Sequence, residues 1–422
     1  MKLGAKKMNM RHQAAFFIIF IFITLGILSP SCAQRPATHP LPTQTPKSHY
    51  DNNAYNVGLK IVDFEYVNIH GKKEIITAAV WYPTQEAPKP YTYRVEKDYE
   101  SQVAFNAREV APGGPYPVVL YAHGAFGSGY SSAYFTEYLA KHGYIVIAPD
   151  YVDTKPPEYT EPIAFSRIKE GKGARTLHVL QIAKKWIEDM GANRNFFLSY
   201  LAEHRLNHTS FLIDQMLALN QDRRSIFYQS IQEDAIGMIG YSEGGVTVIG
   251  KIGGHPDPQF KDAQIRAALI FSAPVYPFEN SLGNIHVPVM VMVEDGETPA
   301  LGPNLPRGSL YDRTNIPKYY LVLKDSNHFS FGNRACGKTP LYLVVESNPK
   351  VNVICRYGLA FFQKHLKGDI RANAPLKTSD PQWVYYIKEE KSGEVAEWGR
   401  EPKPGQGEGG RRQGRLRRLF KR

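Results

Sequence analysis

Residues 235–250 read AIGMIGYSEGGVTVIG: an apolar run of strand character ends at a serine, Ser242, set among Gly240, Gly244 and Gly245, and a second apolar run follows. The stretch Gly240-Tyr241-Ser242-Glu243-Gly244 fits G-x-S-x-G, in which a nucleophilic serine stands on a sharp strand-to-helix turn and the flanking glycines let the backbone pass without clashing. The pattern is short, and its context gives it weight, because AIGMI reads as a strand before it and GGVTVIGKI as a helix after it. A helix starting there aims its positive dipole end and its first N–H groups at the serine.

Outward from this turn, short β-branched and aromatic runs recur with helical patterns between them, the signature of an α/β protein with a mostly parallel sheet covered on both faces. Eight strands are expected, near 59–65, 75–82, 117–122, 144–149, 236–241, 266–272, 287–293 and 318–324. The first two, joined by NIHGKK, should form an antiparallel edge hairpin. Helices are expected over 131–142, 173–190, 195–220, 244–253 and 351–367. The interval 151–235 between the fourth and fifth strands exceeds what one crossover helix requires, so a helical cap or lid insertion is expected there.

A serine nucleophile needs a base. The loop after the last expected strand, within YYLVLKDSNHFSFG, offers His328, placed where an imidazole can reach the serine across the carboxyl edge of the sheet. The acid that orients the imidazole should follow the sixth or seventh strand. The sixth ends in FSAP, without a carboxylate, whereas the seventh runs into Glu294-Asp295-Gly296-Glu297-Thr298-Pro299. Position relative to Pro299 favours Asp295, counting from Pro288 favours Glu297, and Glu294 is a third candidate. An oxyanion is then expected to meet backbone N–H groups of Glu243 and of Ala125 or Phe126 in the loop YAHGAFGSGY, with His123 and Gly124 shaping the turn.

The segments AAVWYPT, YPVVLYAHGAFGSGYSS, LAKHGYIVIAPDY, IGYSEGG, VPVMVMVEDGETP, DSNHFSF and GLAFFQKHLKGD together resemble the α/β-hydrolase superfamily. Within it they are most similar to the serine hydrolases that group platelet-activating-factor acetylhydrolases with dienelactone-hydrolase-like proteins and cutinase-like polyesterases. The resemblance spans residues 55–370 and includes the chain order Ser, acid, His. It implies the α/β-hydrolase fold and hydrolysis of carboxylic esters of small or lipid-like molecules through an acyl-enzyme, with neither a metal nor an organic cofactor. Position 242 is serine where true dienelactone hydrolases carry cysteine, so a lactone substrate is not implied.

The remaining expectations concern the ends and the cysteines. Lys2, Lys6, Lys7 and Arg11 precede an apolar run over 14–28, which reads as a signal peptide over 1–33 and an exported protein, secreted or periplasmic, or lipid-anchored if Cys32 is acylated. A catalytic domain is expected over 50–372 and an extension over 373–400. Residues 401–422 form a basic tail of disordered composition, with eight Lys or Arg against two Glu. Taking its +6 and the +4 of residues 1–11 from the formal +11 leaves +1 for residues 12–400, so the basic balance does not argue for nucleic-acid binding by the folded part. With Cys32 removed or acylated, Cys336 and Cys355 are expected to pair as a disulfide, contributing about 3 kcal/mol through loop closure.

Glu243, beside the nucleophile, would repel anionic substrates if its carboxylate faced the reacting bond, and neutral esters are expected on that ground. The alternatives to an esterase are a peptidase or amidase of the same fold, for which no charged anchor stands out, and an inactive scaffold that only binds.

Overall fold

A computed structural model of the chain describes residues 54–398, apart from 96, 126, 152–193, 276, 277, 279, 296–308, 378, 379, 381 and 390–392. The expected signal peptide with Cys32, the basic tail, the first half of the expected cap, Phe126 and Glu297 lie outside the described residues.

Among the described residues twelve strands form one sheet: β1 (Asn56–Val67), β2 (Lys73–Thr84), β3 (Lys89–Arg94), β4 (Asp98–Phe105), β5 (Tyr116–Ala122), β6 (Ile145–Pro149), β7 (Ile231–Tyr241), β8 (Ile265–Phe271), β9 (Val289–Glu294), β10 (Lys318–Leu323), β11 (Val384–Glu389) and β12 (Val395–Trp398). Their order is β12-β11-β10-β9-β8-β7-β5-β6-β2-β1-β4-β3. All eight expected strands are present. The six from β6 across to β10 run parallel, and β1 and β2 form the expected antiparallel hairpin. The sequence reading missed β3 and β4, whose hairpin lies on the β1 side, and β11 and β12, which pair antiparallel beyond β10.

Alternation of side chains along each strand divides the apolar residues between two cores. In β5, Val119 and Tyr121 point to one face and Val118, Leu120 and Ala122 to the other. The first face is covered by α1 (Ala133–Lys141), α5 (Leu341–Ser347) and α6 (Pro349–Leu366). The second is covered by α2 (Arg194–Leu201), α3 (Asn207–Gln221) and α4 (Glu243–Ile249). The result is the three-layer α/β-hydrolase architecture expected from the sequence, with a sheet apolar on both sides because both sides are buried. Local signals set the boundaries: α6 starts where the Asn348 side chain accepts from the N–H groups of Lys350 and Val351 and Pro349 fills the first turn.

The described end of the insertion, α2, the π-helical turn Ala202–Leu206 and α3, sends Leu201, Leu206, Leu212, Ile213 and Met216 into the second core, because its apolar positions recur on one helical stripe and bury it against the sheet face. One expectation changes here. The expected disulfide is absent: Cys336 and Cys355 are both buried but not joined. Each packs as a small apolar side chain in the first core, and burial pushes the Cys355 thiol well up.

The chain leaves β5 for β6 on one side and returns to β7 on the other, which makes the carboxyl ends of β5 and β7 the topological switch point of the sheet. His123 follows β5 there and Ser242 follows β7.

Candidate active site

Ser242 has φ 57° and ψ −120°, a conformation costly for a side chain with a Cβ. The surroundings hold it: its N–H donates to the Phe271 carbonyl at 2.9 Å, and its carbonyl accepts from Gly245 N–H at 2.9 Å. The glycines of the opening motif are needed for close approach. A Cβ on Gly240 would lie 2.3 Å from the Gly244 carbonyl oxygen, and one on Gly244 would lie 1.9 Å from that of Ala122. The strand can therefore turn into α4 only where two successive passes of backbone meet without side chains. Ser242 Oγ is buried and makes no hydrogen bond among the described residues.

The imidazole of His328 packs beside Tyr241, the residue before the serine. Its ring lies 5.1 Å, centroid to centroid, from that of Tyr241, and Tyr241 Oη donates to the His328 carbonyl at 2.9 Å. The loop that carries it is fixed from within. Asn327 accepts from Phe329 N–H at 2.9 Å, and Ser330 Oγ accepts from Asn327 N–H at 3.0 Å, a reciprocal cap on the short helix His328–Phe331.

On the other side of the ring stands Glu294. One carboxylate oxygen lies 3.8 Å from His328 Nδ1, and the other accepts a short hydrogen bond from Ser272 Oγ. Ser272 Oγ in turn lies 2.9 Å from Nδ1. A hydroxyl has one hydrogen. With that hydrogen given to Glu294, Nδ1–H must donate to Ser272, which leaves Nε2 as the basic nitrogen. Burial raises the Glu294 carboxyl, but the hydrogen bond and charge of His328 and the Ser272 hydroxyl outweigh it, and the group is held below its ordinary range. Ser272 also has a positive φ, 46°, and is fully buried.

The structure thus brings Glu294, the third candidate, to the imidazole, and not Asp295. Asp295 accepts from the N–H groups of Asp325 and Ser326 at 2.7 and 3.0 Å, stapling the loop after β9 to the loop that leads to His328. The difference is one residue of register. Glu294 is the last residue of β9, with the parity of Met290 and Met292, which face the first core along with Tyr241 and Phe331. Strict alternation from Met290 would have found it. Ser272 carries no such signal, because it is not a carboxylate and a serine at a strand end is ordinary.

The loop expected to meet an oxyanion adjoins the serine. A Cβ on Gly124 would lie 3.0 Å from Ser242 Cβ. The Gly124 carbonyl accepts from His123 Nδ1 at 2.7 Å and from Gly127 N–H at 3.0 Å. A trans peptide places its N–H opposite its C=O, so these two bonds also fix the direction of the Ala125 N–H. Glu243 opens α4, where the helix itself offers its N–H no carbonyl. Its side chain is 5% exposed and pairs with Arg205 at 3.1 Å, a cation that offsets the charge on which the expectation of neutral esters rests.

Among the described residues no group of three or more His, Cys, Asp and Glu side chains is arranged to hold a metal ion. A chlorophyllase family model matches residues 102–171, a stretch that contains β5, the loop at 123–127, α1 and β6 and ends short of Ser242. Among solved structures, a ferulic acid esterase from Streptomyces cinnamoneus is similar at 17% identity and a TM-score of 0.49, over 77% of this chain and 93% of that one. No curated protein matches the chain significantly.

Proposed function

We propose, from the α/β-hydrolase fold of this chain and the groups gathered at its switch point, that it is an exported serine hydrolase of carboxylic esters. Ser242 is the nucleophile, His328 the general base and Glu294 the acid, acting on the imidazole through Ser272. His328 Nε2 takes the Ser242 proton as Oγ attacks the ester carbonyl, and charge on the carbonyl oxygen is met by the N–H groups of Glu243 and of Ala125 or Phe126. The imidazolium then protonates the departing alcohol. The acyl-enzyme is opened by a water that the same imidazole activates, releasing the acid and returning the proton to Ser242. Export rests on the leader-like residues 1–33.

The observation that carries this reading is the His328 ring held between Tyr241, which directly precedes Ser242, and the Ser272–Glu294 pair. Such an arrangement fixes one tautomer and supports an imidazolium without moving any group. The match of residues 102–171 to the chlorophyllase model agrees with ester hydrolysis. A fluorophosphonate probe should label the mature protein, and p-nitrophenyl esters should be cleaved. Equal labelling of wild type and Ser242→Ala would refute the assignment.

A further inference from the structure

Resting on that reading, the geometry assigns to Arg205 a positioning role: its guanidinium is the common anchor of the two backbone segments that bind the oxyanion. Arg205 belongs to the π-helical turn Ala202–Leu206, outside the expected catalytic motifs, and is completely buried. A charge that deep persists only when its hydrogen bonds are met by fixed partners. Here the partners stand on both sides of the reacting serine. One terminal nitrogen donates to the His123 carbonyl at 2.8 Å, and the other donates to the Glu243 carboxylate at 3.1 Å.

From each partner a short path leads to an oxyanion donor. Glu243 supplies its own N–H at the start of α4. On the other branch, Arg205 holds the His123 main chain, the His123 ring holds the Gly124 carbonyl at 2.7 Å, and that carbonyl sets the direction of the Ala125 N–H. The ring is fixed from behind as well, because Nε2 accepts from Tyr151 N–H at 3.2 Å. The Tyr151 ring closes the assembly, 4.5 Å from the guanidinium carbon and 5.0 Å from the imidazole centroid. The Tyr151 hydroxyl meets Thr209 Oγ1 at 3.2 Å, and Thr209 donates to the Arg205 carbonyl at 2.8 Å. A planar fork with two donors can hold two acceptors at a set separation; an ammonium is a single point and holds that spacing poorly. In the folded enzyme Arg205 therefore keeps the two donors at the distance that a tetrahedral oxyanion requires, without touching substrate.

The test compares Arg205→Lys, Arg205→Met and the double variant Arg205→Met/Glu243→Met with wild type. Thermal unfolding, steady-state p-nitrophenyl ester kinetics per titrated active site, and affinity for an arylboronic acid that forms a tetrahedral adduct on Ser242 are measured for each. Replacing both members of the buried pair with apolar side chains of similar length removes the unpaired charge that either single Met change leaves buried, so folding and positioning separate in the double variant. The expected result is a kcat about tenfold to a hundredfold below wild type in both Met variants. Boronate affinity falls by a similar factor and KM stays within about threefold, with Arg205→Lys intermediate. A double variant that regains wild-type kcat together with wild-type stability overturns the positioning role and leaves a structural one. A wild-type protein that the fluorophosphonate fails to label at Ser242 overturns the hydrolase reading itself, and the role of Arg205 with it; labelled wild type with fully active Arg205→Met overturns only the latter.

Discussion

Ser272 Oγ stands 2.9 Å from Nδ1 of His328, so that a hydroxyl lies between the imidazole and the Glu294 carboxylate. The carboxylate acts on the ring partly across 3.8 Å and partly through that hydroxyl. Glu294→Gln should lower kcat by about a hundredfold or more, because the amide no longer stabilises an imidazolium. Ser272→Ala should cost about tenfold, since the direct path to Glu294 remains. Asp295→Asn should leave kcat within about threefold while lowering stability by about 1–2 kcal/mol, having weakened two loop hydrogen bonds. Burst titration with an activated ester, combined with thermal unfolding, separates the three; an Asp295→Asn defect in kcat larger than that of Glu294→Gln would reverse the assignment.

Gly244→Ala should fail to fold, or fold with a loss of more than about 4 kcal/mol, because the added carbon would sit 1.9 Å from a backbone oxygen that has no room to retreat. Gly283→Ala serves as the control. Nothing lies within 4 Å of a Cβ placed there, and its stability should stay within about 0.5 kcal/mol of wild type. Soluble yield and chemical denaturation report both outcomes.

A pH dependence of stability should come from Glu137, far along α1. Burial pushes its carboxyl up to about 7, against the pull of hydrogen bonds from Tyr93 Oη and Ser101 Oγ. The folded-state pKa thus lies above the unfolded value near 4.5. Between those values the folded chain keeps a proton that the unfolded chain releases, and stability falls as pH rises through this window, by about 3 kcal/mol at most. Above about pH 7 the contribution is constant. Denaturation midpoints of Glu137→Gln measured from pH 4.5 to 8 should be flatter than those of wild type by this amount; identical slopes would refute it.

Thiol titration of unfolded, unreduced mature protein should find both Cys336 and Cys355 reactive. In the native protein both should resist the reagent, since each is buried and the Cys355 thiol is held protonated by burial. A native protein with no titratable thiol after unfolding would establish the disulfide instead.

The parts of this molecule that were readable from sequence are those with a strong local period. The parallel strands from β6 to β10 carry apolar runs because both faces of the sheet are covered there, and the G-x-S-x-G turn is written in three glycines that steric approach demands. What escaped depended on partners distant in the chain. KPYTYR and VYYIKE are short and interleaved with charge, and become β3 and β11 only because β4 and β10 present open edges to them. Glu294 needed the exact end of a strand, which is where sequence reading is weakest. Arg205 and Ser272 gave no signal at all: an arginine in a helical stretch and a serine after a strand are ordinary until His123, Glu243 and His328 are brought against them.

The C-terminal hairpin alters where this protein can be cut. A boundary at residue 372, natural from the sequence, would strip β11 from β10 and leave six ladder positions from Lys318 to Leu323 unpaired beside buried tyrosines. An exposed parallel margin of that kind recruits strands from other molecules. Shortened versions intended for crystallisation or polyester screening should therefore retain the chain through Trp398, and versions ended at 372 would be recovered as aggregate whatever the state of their serine.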